Sequence, residues 1–324
     1  MTQKFKVLVT RKWPNPVEKK LKEAFDTTLN IDDVPLSEEQ LTKAIDNCDA
    51  LLPTVTDSIS DKIISSKNRR AKIIGNFGVG FNNIDIDSAK KNGVIVTNTP
   101  EVLTDCTADI AMLLLLGIAR RASEGEYHVR KKEWTGWRPT HMMGTKFTGK
   151  TLGLVGMGRI AQAVAHKAHF GFNMQIVFYD PYFNDKNIIE KFNAQSCSSL
   201  DDLLKISDFV SLHCPSTKET KGLINLEMLS KMKNSSYLIN TARGDIVVEQ
   251  DLADALNNGI IKGAGLDVYE SEPSVNPKLL EFKNVFLLPH LGSASEETRE
   301  AMGMRVFSNI TAFFEGKEPA DRVV

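Results

Sequence analysis

The sequence predicts an α/β protein of two open parallel sheets, with one unit inserted into the other. Three observations lead there. Short apolar runs alternate with helix-period stretches along the whole chain, the pattern of strands joined by helical crossovers. A glycine turn, Gly156-Met157-Gly158-Arg159-Ile160-Ala161, links one apolar run to a helical stretch, yet about 150 residues precede it. A last helical stretch, 295–314, follows after the strands beyond that turn are complete, so it is free to return to the earlier unit. A length of 324 residues fits two domains.

In the first unit, Val7-Leu8-Val9, Ala50-Leu51-Leu52, Lys72-Ile73-Ile74 and Val94-Ile95-Val96 are the strand candidates. Val17, Leu21, Ala24 and Phe25 share one helical face, and Leu41 and Ile45 share another. Asn98-Thr99-Pro100 follows the fourth strand. Proline suits the first turn of a helix and Glu101 suits its positive end, so one long helix is expected from Glu101 to Ser123. Its apolar run, Ile110 to Ile118, is about half of the ~20 residues a membrane span needs, so a buried helix is expected and no membrane contact.

The second unit offers six strand candidates: 151–155, 175–179, 208–212, 236–240, 261–266 and 284–288. Gly156 permits the tight turn after the first of them. Gly158 lets the backbone approach a pyrophosphate, and Ala161 is small enough for close helix–strand packing. The helix that follows offers free N–H groups to the phosphate. Asp180 ends the next strand, nineteen residues past Ala161. Together these make the dinucleotide fingerprint of a Rossmann sheet. The expected layout is a cofactor-binding domain, 100–290, inserted in a discontinuous flavodoxin-like substrate domain, 1–99 plus 291–324. A cleft between the two units is the expected ligand site.

Asp180 also bears on cofactor choice. A carboxylate accepts ribose hydroxyls and repels a 2′-phosphate, and no Arg or Lys follows before Lys186. NAD is therefore expected, not NADP. The plain alternative for Asp180 is a cap in an Asp-Pro turn.

Composition excludes several classes. The net charge of -1 gives no electrostatic reason for a nucleic-acid or anionic-membrane partner. Cys48, Cys106, Cys197 and Cys214 lie far apart, which fits reduced thiols better than disulfides or a metal site. The N-terminus has no apolar signal core, so a cytoplasmic protein is expected.

Hydride transfer to a ketone needs a cation for the substrate carboxylate, an acid for the developing alkoxide, and a group to orient that acid. In open α/β sheets such groups come from the carboxyl ends of strands. Arg243 lies just past 236–240 and can pair bidentately with a carboxylate; a surface arginine paired with Asp245 is the plain alternative. His290 ends strand 284–288, with His213 as its rival after 208–212. Glu272 follows 261–266, with Glu270 equally placed by spacing. The residues alone leave both rivalries open.

These motifs resemble the D-2-hydroxyacid dehydrogenase family over nearly the whole chain. The resemblance rests on Gly78-Val79-Gly80-Phe81-Asn82-Asn83-Ile84-Asp85, on Asn98-Thr99-Pro100 with Leu103-Thr104-Asp105, and on Gly156-x-Gly158-Arg159-Ile160. It continues through Asn240-Thr241-Ala242-Arg243-Gly244, Gly265-Leu266-Asp267-Val268 with Glu272-Pro273, and Pro289-His290-Leu291-Gly292-Ser293. The resemblance implies Arg243, Glu272 and His290 as catalytic residues. It implies cofactor contacts at Gly156, Gly158, Arg159, Ile160, Asp180, Cys214, Thr241, Ala242 and Asp267, the last near the nicotinamide amide. It also implies that N–H groups of Val79 and Gly80 receive the substrate carboxylate. Trp134-Thr135-Gly136-Trp137-Arg138-Pro139 is similar to the glyoxylate and hydroxypyruvate reductase branch, although Asp180 is unlike that branch's NADPH users. A homodimer joined through about 101–150 is implied, with the two tryptophans at the interface or in a core.

The expected activity is NAD(H)-dependent reduction of a small 2-oxo acid, glyoxylate or hydroxypyruvate, with His290 as general acid. The loop from Gly75 to Asn83 carries no basic residue to clamp a phosphorylated substrate. Alternatives are an NADH-sensing corepressor-like binding protein, a D-lactate or phosphoglycerate type of dehydrogenase, and formate or phosphite oxidation on the same fold. Glu272 in place of a glutamine, and the missing loop lysine, count against the last pair.

Overall fold

The computed structural model describes residues 4–324; the first three residues of the expected first domain lie outside the described residues. The chain divides into two compact units, Met1–Leu103 with Ser293–Val324, and Thr104–Gly292.

The first unit holds β1 (Lys6–Val9), β2 (Asp26–Leu29), β3 (Ala50–Leu52), β4 (Ile73–Gly75) and β5 (Ile95–Thr97). All pair in parallel, in the order β2-β1-β3-β4-β5. That is the flavodoxin-like order. The four expected strands are present, and β2 is an addition: Asp-Thr-Thr-Leu is a partly exposed edge strand with no apolar run to announce it. Helices α1 (Asn15–Ala24), α2 (Glu38–Asn47), α3 (Asp61–Ile64) and α4 (Ile86–Lys91) lie between the strands. Val17 and Leu21 are the buried face of α1. Ser37 starts α2 by a capping box with Gln40, each side chain bonding the other's backbone N–H.

In the second unit the expected single helix 101–123 is two. Glu101 takes a left-handed φ of 72° and Val102 N–H bonds Pro100 O, so Pro100 and Glu101 form a turn ahead of the helix. Helix α5 (Thr104–Ala119) then runs until Arg121, at φ 57°, breaks it, and α6 (Ala122–Arg130) restarts. Next come β6 (Thr151–Val155), α7 (Arg159–Phe172), β7 (Gln175–Tyr179), α8 (Lys186–Lys191) and β8 (Gln195–Ser196). They are followed by α9 (Leu200–Ile206), β9 (Phe209–Leu212), α10 (Leu226–Ser230), β10 (Tyr237–Asn240), α11 (Glu249–Asn257), β11 (Gly263–Leu266), α12 (Pro277–Glu281) and β12 (Val285–Leu287). The seven strands are parallel, in the order β12-β11-β10-β9-β6-β7-β8. Six are those expected. The seventh, β8, is two exposed polar residues at the edge, too short for any periodicity.

Strands β9, β10 and β11 are buried on both faces, as the cover of helices on a parallel sheet requires. Helix α5 packs on β10 and β11; a Cβ on Gly265 would lie 3.0 Å from Leu114 Cβ. Strand order reverses between β6 and β9, which makes the carboxyl ends of these two strands the switch point where α/β ligands bind.

Helix α13 (Glu296–Phe314) belongs to the first unit. Ser295 caps it through Thr298 N–H, and Val306 and Ile310 close over Gly75 of β4. Beyond α13, Val323 N–H bonds Val96 O, so the C-terminal residues run along β5. Among the described residues, no helix is long and apolar enough to cross a membrane, and the four cysteines are free.

Candidate active site

The fingerprint turn lies at the switch point. Gly156 has φ 89°, and a Cβ there would sit 2.9 Å from Cys214 N and 3.0 Å from His213 C, so only glycine fits between the ends of β6 and β9. Gly158 caps α7, and nothing lies within 4 Å of where its Cβ would be. The first-turn N–H groups of α7, from Arg159 and Ile160 onward, face no intrahelical acceptor. Ala161 is fully buried, as the third position of the motif requires.

Asp180 bends toward this turn from the end of β7. Its Oδ2 accepts Met157 N–H at 2.9 Å and its Oδ1 accepts Tyr182 N–H at 2.9 Å. The capping bond and the approach to the fingerprint therefore coexist. Each oxygen keeps a lone pair for a ribose hydroxyl. Thr241, after β10, has a buried Oγ1 with no partner among the described residues. An open glycine cradle, a helix N-terminus, a poised carboxylate and an orphaned hydroxyl fit a dinucleotide.

The remaining groups stand on the loops after β10, β11 and β12. Asn240 anchors the first loop: its Nδ2 donates to Arg243 O at 2.8 Å and its Oδ1 accepts Ala242 N–H at 3.0 Å. Arg243 is half-buried, its Nη1 bonds only Ala242 O at 2.7 Å, and it forms no ion pair among the described residues. The surface pair with Asp245 is not made. Burial pulls the Arg243 guanidinium below its ordinary value, while Glu272 and Asp245 hold it up. A half-buried cation without a carboxylate partner is ready for an anionic ligand. Gly244 follows because a Cβ there would lie 1.8 Å from Tyr269 C, inside the backbone of the next loop.

That next loop carries Glu272. Glu272 Oε2 meets His290 Nδ1 at 2.7 Å, while Oε1 accepts Tyr269 N–H at 3.1 Å. Burial pushes the Glu272 carboxyl up, but His290, Tyr269 N–H and Arg243 together hold it below the usual carboxylate value. Glu270 does not meet the histidine; its backbone N–H bonds Glu249 Oε1 at 2.8 Å. Glu249 Oε2 accepts Asn276 N–H at 3.1 Å, so one buried carboxylate pins both ends of the loop. Sequence reasoning missed Glu249. The signal was an acid in the first turn of an otherwise amphipathic helix, which ordinarily reads as a dipole partner.

His290 adopts φ 55°, unusual for a side chain this large. Asp267 holds it there. Asp267 O accepts His290 N–H at 2.9 Å, and its two carboxylate oxygens accept Leu291 and Gly292 N–H at 2.6 and 2.8 Å. The Asp267 side chain is buried, and burial raises its carboxyl above the ordinary value against those bonds. Tyr269 OH adds a tie to Leu288 O at 2.7 Å. His213 is placed otherwise: its Nε2 lies 2.9 Å from Ser211 Oγ, and burial drops its imidazole to about 4. It is neutral at physiological pH. The second unit thus brings Arg243, Glu272, His290 and Asp267 together, and separately gathers Gly156, Gly158, Asp180 and Cys214. Val79 and Gly80 stand on the loop after β4 in the first unit.

A family model for the D-isomer specific 2-hydroxyacid dehydrogenase, NAD binding domain, matches residues 112–292. The chain is 43% identical over 97% of its length to a glyoxylate reductase of Pyrococcus horikoshii, covering 94% of that protein. The chain belongs to the D-isomer specific 2-hydroxyacid dehydrogenase family. Among solved structures, the TT0316 protein from Thermus thermophilus matches with a TM-score of 0.90 and 39% identity over 98% of this chain and 100% of that one. The NADPH-dependent glyoxylate/hydroxypyruvate reductase from Sinorhizobium meliloti, in complex with NADP and malonate, matches with a TM-score of 0.86 and 31% identity, over 99% of this chain and 97% of that one. As a 2-hydroxyacid dehydrogenase, the protein is an oxidoreductase that acts on a CH–OH group with a nicotinamide cofactor.

Proposed function

We propose that the enzyme reduces glyoxylate or hydroxypyruvate with NADH, using His290 as the general acid. The observation that carries this reading is the 2.7 Å contact of His290 Nδ1 with Glu272, beside an Arg243 cation that lacks an ion pair among the described residues. The nicotinamide cofactor, when bound, supplies the hydride. Arg243 holds the substrate carboxylate, and Val79 and Gly80 N–H groups receive the same carboxylate. With Nδ1 on Glu272, Nε2 is the atom that delivers the proton to the developing alkoxide; in the oxidation direction it takes the proton back. Glu272, itself held by Tyr269 N–H, fixes the orientation of the ring. The relatives named glyoxylate reductase and the absence of a basic residue between Gly75 and Asn83 support a small, unphosphorylated acid.

The cofactor contacts are assigned to Gly156, Gly158, Arg159, Ile160, Asp180, Cys214, Thr241, Ala242 and Asp267. Asp180 favours NAD(H), although the Sinorhizobium relative is NADPH-dependent. We place the enzyme in the cytoplasm as a homodimer. The four free cysteines fit a reducing compartment. The test is NADH consumption by the purified protein against glyoxylate, hydroxypyruvate, pyruvate and phosphohydroxypyruvate, repeated with NADPH. The first two acids and NADH are expected to give the highest kcat/KM. Preference for the phosphorylated acid overturns the substrate, preference for NADPH overturns the reading of Asp180, and no turnover at all favours a cofactor-sensing binding protein.

A further inference from the structure

In the loop after β4, three successive carbonyl groups are tied down while two N–H groups between them are left open. Gly78 O accepts Thr99 N–H at 3.0 Å and Asn76 Nδ2 at 3.3 Å. Val79 O accepts Asn98 Nδ2 at 2.8 Å, and Gly80 O accepts Asn76 Nδ2 at 2.8 Å. Among the described residues, the N–H groups of Val79 and Gly80 donate to no protein acceptor.

The pattern has a geometric consequence. In a trans peptide the carbonyl and the N–H share one plane and point in opposite directions. The Gly78 carbonyl and the Val79 N–H belong to one such plane; the Val79 carbonyl and the Gly80 N–H belong to the next. Holding the first carbonyl with Asn76 and Thr99 therefore aims the Val79 N–H. Holding the second with Asn98 aims the Gly80 N–H. The anchors are firm themselves. Asn76 is fully buried, its N–H bonds Thr97 O at 2.9 Å, and its Oδ1 accepts Asn83 Nδ2 at 3.3 Å. Asn98 follows the neighbouring strand β5, and its own N–H bonds Asp321 O at 3.2 Å. Two adjacent N–H groups held in advance, with no protein acceptor among the described residues, can serve as a donor pair for an anion.

We propose that Asn76 and Asn98 are positioning residues that aim the Val79 and Gly80 N–H groups at the carboxylate of the 2-oxo acid. They set the affinity for substrate and leave the chemical step alone. This rests on the reading of the loop as the carboxylate receiver.

The experiment compares steady-state kinetics of Asn76→Ala and Asn98→Ala with the parent enzyme. It also follows the Val79 and Gly80 amide resonances of the NADH-saturated parent on adding oxamate, an unreactive carboxylate of similar shape. Losing one anchor is expected to raise KM for the 2-oxo acid roughly tenfold, with kcat held within about twofold. NADH affinity and the unfolding temperature serve as controls; if the buried Asn76 variant unfolds, the half-buried Asn98 carries the comparison. Both amides are expected to shift with oxamate. If they do not respond in the parent, the carboxylate reading of the loop falls. If they respond and KM of Asn98→Ala is unchanged, the reading stands and the anchoring role is overturned. A fall in kcat and unfolding temperature with no change in KM also overturns it, because the asparagine is then only structural.

Discussion

At the residue scale, the decisive unit is the His290–Glu272 contact at 2.7 Å. The carboxylate holds the ring through Nδ1 and leaves Nε2 as the nitrogen that can reach a substrate oxygen. His290→Ala is expected to lower kcat by about 10²–10⁴-fold with NADH binding little changed; a variant with near-normal turnover sinks the assignment. Glu272→Gln keeps the shape and removes the charge. Its kcat is expected to fall about tenfold or more with NADH binding little changed, because a neutral amide holds the ring less firmly than a carboxylate does; a parent-like kcat refutes the role given to Glu272. The sign for stability follows from the same carboxyl. Glu272 sits below its ordinary value in the folded state, so its contribution is complete above the usual carboxylate range and is lost as pH falls through the lowered value.

At the scale of elements, the site depends on loops that strands aim and distant backbone contacts hold. Glu249, in the first turn of α11, ties Glu270 N–H at 2.8 Å and Asn276 N–H at 3.1 Å, and so spans the loop that presents Glu272. Glu249→Gln replaces one acceptor by a donor that faces a backbone N–H. A loss of about 1–3 kcal/mol in urea unfolding is expected, together with reduced kcat as Glu272 loses its setting. Parent-like stability and turnover would show that the loop holds itself. Left-handed His290 is supported in the same way, by three bonds to Asp267. Strain of this kind persists where the surroundings over-determine it.

At the scale of the whole molecule, the segment before the fingerprint stands out. Trp134 and Trp137 are 55% and 82% exposed, so the core role left open by the sequence is not theirs in the single chain. Tyr127, Val129 and Met143 are exposed on the same stretch. Apolar surface of this sort marks an interface, and aromatics are enriched there. The homodimer proposal predicts that Trp134→Ser with Trp137→Ser shifts the sedimenting species from dimer toward monomer; a parent that sediments as a monomer, or a variant that stays dimeric, counts against it.

The sequence by itself determined what depends on local order. The two parallel sheets follow from apolar runs and helical spacing that are continuous in the chain. The fingerprint is one strand, one turn and one helix, with Asp180 at the next strand end. The long helix divided because positive φ at Glu101 and Arg121 carries no glycine to announce it, and β2 and β8 were missed because edge strands need no apolar face. Tertiary structure decided what depends on distant partners. It put Glu272 against His290, eighteen residues on, and gave Glu270 to the backbone contact with Glu249. It set His213 against Ser211 with no carboxylate beside it, so that its imidazole stays neutral. It also turned Asn76 and Asn98 onto one loop from the ends of two paired strands. Spacing names the residue types that can do the chemistry, but a proton donor is made by its neighbours, and neighbours about twenty residues away are chosen only when the sheet brings its strand ends together.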